Sequence, residues 1–99
     1  GNRIHLRDCA GALAHLVGLG RVEPVYLGVD DAPAPLSEVH AYVAGLLGVE
    51  PVEGDVGAGR GGNKRCDNRR LKESGYRLLV PTYREGYAPI VAAWLAERA

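Results

Sequence analysis

Residues 24–33, Pro-Val-Tyr-Leu-Gly-Val-Asp-Asp-Ala-Pro, decide the fold that the sequence predicts. Positions 25–29 are an unbroken apolar run of strand length, and the Asp-Asp-Ala-Pro that follows is typical of a turn. A strand with apolar residues on both faces is typical of a buried position in a parallel sheet. Because helices are predicted before and after it, the order helix, strand, helix predicts an α/β fold.

Two amphipathic helices flank this predicted strand. The first is predicted over residues 9–18, with Asp8 placed to cap its start and Gly18 and Gly20 placed to end it. The second is predicted over residues 38–47 and ends at Gly48, with Pro51 behind it. In both, apolar residues recur at helical spacing: Ala10, Leu13, Ala14 and Val17 in the first, and Val39, Tyr42, Val43, Leu46 and Leu47 in the second.

The second half of the chain begins with a glycine-rich stretch. Residues 50–63 show no periodicity and are predicted to be a mobile loop or a linker. Asp67 or Asn68 can cap a short helix that runs through Leu71 and stops at Gly75. Residues 76–80 are then predicted to be a short strand or an extended segment.

The last predicted helix starts at a capping box, because the hydroxyl of Thr82 can accept a hydrogen bond from the Glu85 amide while the Glu85 carboxylate returns to Thr82. Pro89 lacks an amide hydrogen and clashes one turn back, so a kink or a restart is expected there. The residues expected to pack down beyond it are Ile90, Val91, Trp94 and Leu95.

Length and charge set the class of protein. The chain has 99 residues, 12 of them Lys or Arg and 12 Asp or Glu, and 46% are hydrophobic, which is the composition of one globular domain. A complete two-domain enzyme is excluded. Residues 1–57 carry three bases against eight acids and residues 58–99 carry nine against four, so we expect the second half to meet any anionic ligand.

Other composition signals concern location and redox state. Nothing resembles a signal peptide or a membrane span, which predicts a cytoplasmic location. Two cysteines without a C-x-x-C pairing indicate reduced thiols, with neither a disulfide framework nor a metal site. Since the sequence contains no methionine and opens without a leader, we expect a fragment of a longer protein.

Two motifs bear on binding. Residues 57–62 match G-x-G-x-x-G, but no strand precedes them, so a flexible loop is favoured over a dinucleotide site. Seven bases between Arg60 and Arg77 fit three interpretations: a solvated face, one or two arginines that reach a phosphate, or a nucleic-acid surface. No Tyr-x-x-x-Lys pair and no serine in a nucleophile elbow is present, so no residue is predicted to be catalytic.

Three segments carry a resemblance that covers most of the chain. They are residues 2–10 (NRIHLRDCA), residues 25–33 (VYLGVDDAP), and residues 64–71 (KRCDNRRL) with GY at 75–76 and PTYREGY at 81–87. In this order they resemble the C-terminal part of extended or atypical short-chain dehydrogenase/reductases, the NAD-dependent epimerase/dehydratase superfamily. Two positions depart from the family pattern: Gly1 stands where many sugar-nucleotide epimerases carry Arg, and Leu27 where Asn is usual.

The resemblance implies a fragment of a Rossmann-type, NAD(P)-binding fold: residues 1–49 as its late helix-strand-helix part, 50–63 as the loop, and 64–99 as a small substrate-domain segment. It implies the substrate-side portion of an NAD(P)-dependent oxidoreductase or epimerase, not catalytic alone because the cofactor loop and the Tyr/Lys pair lie upstream in the family. NAD or NADP would belong to the parent protein, and none is expected on this chain. The residues implied to bind substrate are Arg3, His5, Arg65, Asn68 and Arg84, the arginines as contacts for an anion.

Two interpretations of the partner remain open. An apolar strand that lacks cover on both sides predicts that the chain associates, either with the missing N-terminal Rossmann half or as a homo-oligomer. The alternative function is a stand-alone binding module that uses the basic face of residues 60–77 for an acidic partner or nucleic acid. Salt dependence separates the two, because binding to a polyanion falls steeply with salt. Neither a membrane nor, given the acidic first half, nucleic acid is the expected partner.

Overall fold

The computed structural model describes residues 1–51 and 64–98. Over these residues the chain forms four helices: α1 (Leu6–Val17), α2 (Leu36–Leu47), α3 (Arg69–Glu73) and α4 (Tyr83–Glu97). Of the predicted glycine-rich loop at residues 50–63, residues 52–63 lie outside the described residues, and these include the G-x-G-x-x-G motif at 57–62. Within the described ranges, none of the helices is long and apolar enough to cross a membrane.

The predicted α/β fold is wrong, since the described residues contain helices and no strand. Residues 25–29 run without regular structure, and Val25 and Leu27 are exposed. A strand needs a neighbour that exchanges a ladder of backbone hydrogen bonds, whereas here the Asp30 amide donates to the Arg3 carbonyl (2.7 Å) and the Asp31 amide to the Pro81 carbonyl (2.9 Å). The Rossmann-type fragment, and with it the short-chain dehydrogenase/reductase assignment, is not supported by this helical structure.

In place of a neighbouring strand, two side chains donate hydrogen bonds to backbone carbonyls of residues 25–29. The Val25 carbonyl accepts from Arg70 Nη1 (3.1 Å) and the Val29 carbonyl from Asn68 Nδ2 (2.9 Å). These two donors flank the start of the short helix α3. The apolar run is therefore tied to α3 by polar side chains and keeps an extended path without a partner strand.

Helix α1 begins at a different residue from the one the sequence suggests. His5 occupies the N-cap, and its Nδ1 accepts a hydrogen bond from the Arg7 amide (3.1 Å). Asp8, predicted as the cap, is fully buried instead. Its carboxylate accepts hydrogen bonds from the Tyr76 hydroxyl (2.7 Å) and from the amides of Leu79 (2.8 Å) and Val80 (2.8 Å). It thus joins α1 to the segment before α4.

The other helix ends follow local signals. α2 ends at Gly48, as predicted, in the left-handed conformation (φ 73°) that glycine adopts without strain. At the start of α3 the Asp67 carboxylate accepts from the Arg69 amide (2.8 Å), and Gly75 follows the helix with φ 105°. Residues 76–80 form no strand and are held by the contacts of Asp8.

The capping box at the start of α4 is confirmed, with both reciprocal hydrogen bonds between Thr82 and Glu85 present. One helix continues through Pro89 without a restart. Val91 is buried as expected, but Ile90, Trp94 and Leu95 are substantially exposed and do not pack down. Only one side of α4 therefore faces the rest of the described chain.

Replacing Thr82 with alanine is expected to lower the free energy of unfolding by about 0.5 to 2 kcal/mol, because it removes the oxygen that accepts from the first turn of α4. Thermal unfolding followed by circular dichroism measures the change. Ser37→Ala is the control, since Ser37 lies in the first turn of α2, where no side chain caps the helix. Equal midpoints for the two variants would contradict a stabilising capping box.

The hydrophobic core is small. One cluster consists of Ala34, Val39 and Tyr83 with Tyr42 packed against it, and it joins α2 to α4. Leu71 of α3 is the most buried large apolar side chain. The described residues measure 48 × 33 × 16 Å, so the fold is much thinner in one direction than in the other two.

Candidate functional site: a cavity beside Arg3

A cavity of about 270 Å³ lies where the N-terminal segment, the turn at Asp30 and the start of α4 meet. Its polar lining comes from Arg3, His5, Asp30 and Thr82. Its apolar wall includes Ile4, Leu6, Val80, Tyr87 and Ile90. A mostly apolar hollow with a few convergent polar groups is the usual form of a small-molecule site.

Arg3 provides the unusual feature of this cavity. Its Nη2 donates a hydrogen bond to the Ala34 carbonyl (3.0 Å), and its guanidinium lies 5.7 Å from the centre of the Tyr83 ring. The other terminal nitrogen, Nη1, is buried and has no hydrogen-bond partner among the described residues. A buried donor without a partner is costly and rare. This unsatisfied donor makes Arg3 the residue of this cavity most in need of an additional hydrogen-bond acceptor.

Asp30 supplies the negative charge next to Arg3. It is almost fully buried, and its Oδ1 accepts from the Ala32 amide (3.0 Å). Burial raises the pKa of Asp30, while the Ala32 hydrogen bond and the positive charge of Arg3 oppose that rise. The cavity thus contains one cationic and one acidic side chain, which suits a ligand with a single acceptor group better than a polyanion.

His5 also lines the cavity, and one hydrogen bond orients its ring. Because Nδ1 accepts the Arg7 amide hydrogen, a neutral ring carries its hydrogen on Nε2. Gly86 in α4 leaves room for this ring, since a Cβ there would lie 3.3 Å from His5 Cδ2 and 3.4 Å from Val80 Cγ1. A larger residue at position 86 would require the His5 or Val80 side chain to shift by a few tenths of an ångström, so glycine there favours the close approach of α4 to the N-terminal segment.

Arg84 stands outside the cavity. Its guanidinium carbon lies 4.8 Å from the Tyr42 ring centre and 5.1 Å from that of Tyr83, within the range of cation–π contacts. Tyr83 donates its hydroxyl hydrogen to Glu38 (2.8 Å), and burial together with Glu38 raises the pKa of Tyr83. Arg84 and the two tyrosines therefore hold α4 against α2.

Asn68 and Arg65 lie elsewhere. Asn68 is buried, and its Nδ2 donates to the Val29 carbonyl and to Asp31 Oδ1 (both 2.9 Å), so it anchors the turn after residue 29. Arg65 lines a separate hollow of about 170 Å³ with Gly1, Pro33 and Lys64. Of the five residues predicted to bind substrate, the structure brings only Arg3 and His5 to the cavity.

Sequence reasoning assigns other roles to the remaining polar residues of the site. Asp30 is predicted as a turn residue and Thr82 as a helix cap, and both descriptions hold locally. Their place in the cavity depends on how residues 1–5 lie between the turn and α4, a contact that no local spacing encodes. The sequence feature that points to this cavity is the set of three resembling segments, because each of them contributes residues to the lining of the cavity.

The basic residues that the structure describes between positions 64 and 77 are mostly exposed, and several already have acidic or carbonyl partners. Lys72 Nζ lies 3.1 Å from Asp31 Oδ1, Arg69 lies 3.8 Å from Asp67, and Arg70 bonds the Val25 carbonyl. No group of three or more metal-ligating side chains occurs among the described residues. Both cysteines, Cys9 and Cys66, are free thiols.

Comparison with known proteins finds a structural relative of unknown role. No protein-family model and no curated protein matches the sequence. The chain is similar to the solved structure of a functionally unknown conserved protein from Silicibacter pomeroyi, with 36% sequence identity and a TM-score of 0.75. The match covers 93% of this chain and 37% of that one. This chain therefore spans little more than a third of the relative's length and shares its fold over that part.

Proposed function

We propose that this chain is the substrate-side portion of a larger NAD(P)-dependent oxidoreductase or epimerase and that the cavity beside Arg3 holds part of the substrate. The chain is not catalytic by itself. The enzyme class rests on the sequence of the three resembling segments alone, since the helical structure does not support the Rossmann-type fragment. Support for the site comes from one observation: Arg3, whose buried Nη1 has no hydrogen-bond partner among the described residues, lines a cavity to which all three of those segments contribute residues.

The geometry favours an uncharged polar group in the cavity. Arg3 Nη1 can donate to an oxygen of the ligand, and the Asp30 carboxylate beside it can accept from a hydroxyl. The apolar wall formed by Val80, Tyr87 and Ile90 suits the carbon frame of such a molecule. A hydroxylated ring such as the sugar of a nucleotide sugar fits this pattern, with its diphosphate outside the cavity, away from Asp30.

NAD or NADP would be bound by the rest of the parent protein. This part of the proposal follows from the resemblance, which implies that the family's cofactor loop lies upstream of the segments present here. In this proposal the chain's own residues bind and orient the substrate, and the protein resides in the cytoplasm.

Titration of the isotope-labelled chain with UDP-glucose tests the site. We expect amide chemical-shift changes at residues 3–6, at Asp30 and at residues 82–87, with UMP giving none there because it lacks the glucose. Arg3→Ala is expected to weaken UDP-glucose binding at least about 10-fold, since it removes a charge-assisted hydrogen bond. Arg65→Ala is the control and should bind as the unmodified chain does, because Arg65 lines another hollow.

The same titration distinguishes the alternative function, a stand-alone module that binds an acidic partner. Addition of a short DNA duplex would then shift amides at residues 64–77, and the affinity would fall steeply with salt. The ion pairs of Lys72 and Arg69 and the carbonyl contact of Arg70 count against this alternative. Shifts confined to residues 64–77 would overturn the proposed substrate site.

A further inference from the structure

Helix α1 is inverted relative to an ordinary surface helix. Its buried side carries the charged Asp8 and the small Ala12. His15, which is half-buried, directs its Nε2 to the carbonyl and the hydroxyl of Ser74 (both 3.1 Å). An amphipathic helix at a protein surface normally turns its apolar stripe to the core and its polar residues to water. In α1 polar groups face the described protein, so its apolar side needs another surface to pack on.

The apolar side of α1, which we call the outer α1 face, consists of Ala10, Leu13, Ala14 and Val17. These positions lie within roughly 100° of one another around the helix axis, and all four are exposed, Leu13 by 62% and Val17 by 85%. Of the seven exposed residues of α1, only Arg7 is charged. Few charges and many aliphatic groups are typical of the core of a permanent interface.

The relative from Silicibacter pomeroyi indicates what covers this face. Most of that protein lies outside the part that this chain matches, so the shared fold is joined there to a larger remainder. An attached part acts at an effective concentration of about millimolar when its linker is short, so it reaches the face before a second free copy does. Residues 52–63 of this chain, outside the described ranges, include only Val52 and Val56 as larger apolar residues, too few to cover it.

We propose that, in a longer protein that contains this chain, the outer α1 face packs against an apolar surface of the remainder, so that α1 lies buried between the two parts. Leu13 and Val17 offer a partner neither a charge nor a hydrogen-bonding group, which is why that surface is apolar. The proposal rests on the proposed function only for the existence of a longer protein. None of the four residues of the face lines the cavity beside Arg3, so the packing leaves the cavity accessible.

The solved structure of the relative provides the first test. The residues that match Leu13 and Val17 should lose most of their exposed area when the unmatched part of that chain is included. The side chains that contact them from the unmatched part should be mainly apolar. Equal exposure with and without the unmatched part would overturn the proposal.

Leu13→Glu provides the second test, because its effect should differ between the isolated chain and the longer protein. In the 99-residue chain it should move the thermal midpoint by no more than about 2 °C, since position 13 is exposed there and both residues favour a helix. Glutamate at the matching position of the full-length relative should lower the midpoint by at least about 5 °C, because it buries an unpaired charge. Glutamate at the position that matches Ser37, which is exposed on α2, is the control and should change neither midpoint appreciably.

Two further results would overturn the proposal. One is an equal midpoint change for the two glutamate variants of the relative. The other is a dimer of the isolated chain, detected by light scattering, that Leu13→Glu dissociates, because a second copy would then occupy the face. The titration with UDP-glucose is independent of both: absence of binding would refute the substrate site and leave the burial of α1 untouched.

Discussion

Replacing Asp8 with alanine is expected to lower the free energy of unfolding by about 3 to 5 kcal/mol, a large part of what a domain of this size possesses. The carboxylate is fully buried and accepts from the Tyr76 hydroxyl and from the Leu79 and Val80 amides. Its removal leaves three donors without a partner inside the protein. Chemical denaturation followed by circular dichroism measures the change.

Glu73→Ala is the matched control, since it removes one carboxylate from an exposed position at the end of α3 and should change stability by no more than about 0.5 kcal/mol. Asp8→Asn should also be destabilising, but less than the alanine variant. Its amide oxygen can still accept from Tyr76 and Leu79, whereas its NH₂ group would face the Val80 amide, which is a donor. Similar midpoints for Asp8→Ala and Glu73→Ala would contradict the structural role of this carboxylate.

The same group makes stability depend on pH in a defined direction. Burial alone would raise the pKa of Asp8, but the hydrogen bonds from Leu79, Tyr76 and Val80 outweigh it and hold the pKa below its ordinary value of 3.8. A lowered pKa in the folded state contributes stability above pH 3.8, and that contribution is lost as the pH falls through the folded-state pKa. Between neutral pH and about pH 3, the unmodified chain should therefore lose more stability than Asp8→Ala does.

Leu71→Ala is expected to cost about 2 to 5 kcal/mol of unfolding free energy, because Leu71 is the most buried large apolar side chain, at 1% exposure. The substitution slightly favours helix formation in α3, so the loss reports packing alone. Leu79→Ala is the control, because the Leu79 side chain is 61% exposed. The substitution also keeps the hydrogen bond that the backbone amide of residue 79 donates to the Asp8 carboxylate. Equal losses in thermal unfolding would show that α3 does not anchor the core.

Local signals predict the helices better than they predict the fold class. The capping box at Thr82 and the glycine at position 48 encode their structures within a few residues. The strand predicted at residues 25–29 is wrong because an apolar run specifies strand length but not a pairing partner. The described residues supply Asn68 and Arg70 side chains there instead of a neighbouring strand.

The site is predictable to a similar, partial degree. The segment of residues 2–10 points to Arg3 and His5, and the cavity contains both. Asp8 looks like a cap because aspartate before an apolar repeat usually is one. Its actual partners are Tyr76, Leu79 and Val80, at separations of 68, 71 and 72 positions. Long-range hydrogen bonds of this kind leave no periodic signal in a sequence.

The span of those hydrogen bonds has a consequence for the order in which the chain folds. The Asn2 side chain forms hydrogen bonds with the backbone of Lys64 and Cys66. The Asp8 carboxylate forms hydrogen bonds with residues that lie later in the chain by 68 to 72 positions. Contacts of such separation close late, because the entropy of a long loop is lost before they form. During synthesis α1 is therefore made before Tyr76, Leu79 and Val80, the residues that donate hydrogen bonds to its Asp8 carboxylate. The helix can take its final position only after residue 80 has been synthesised.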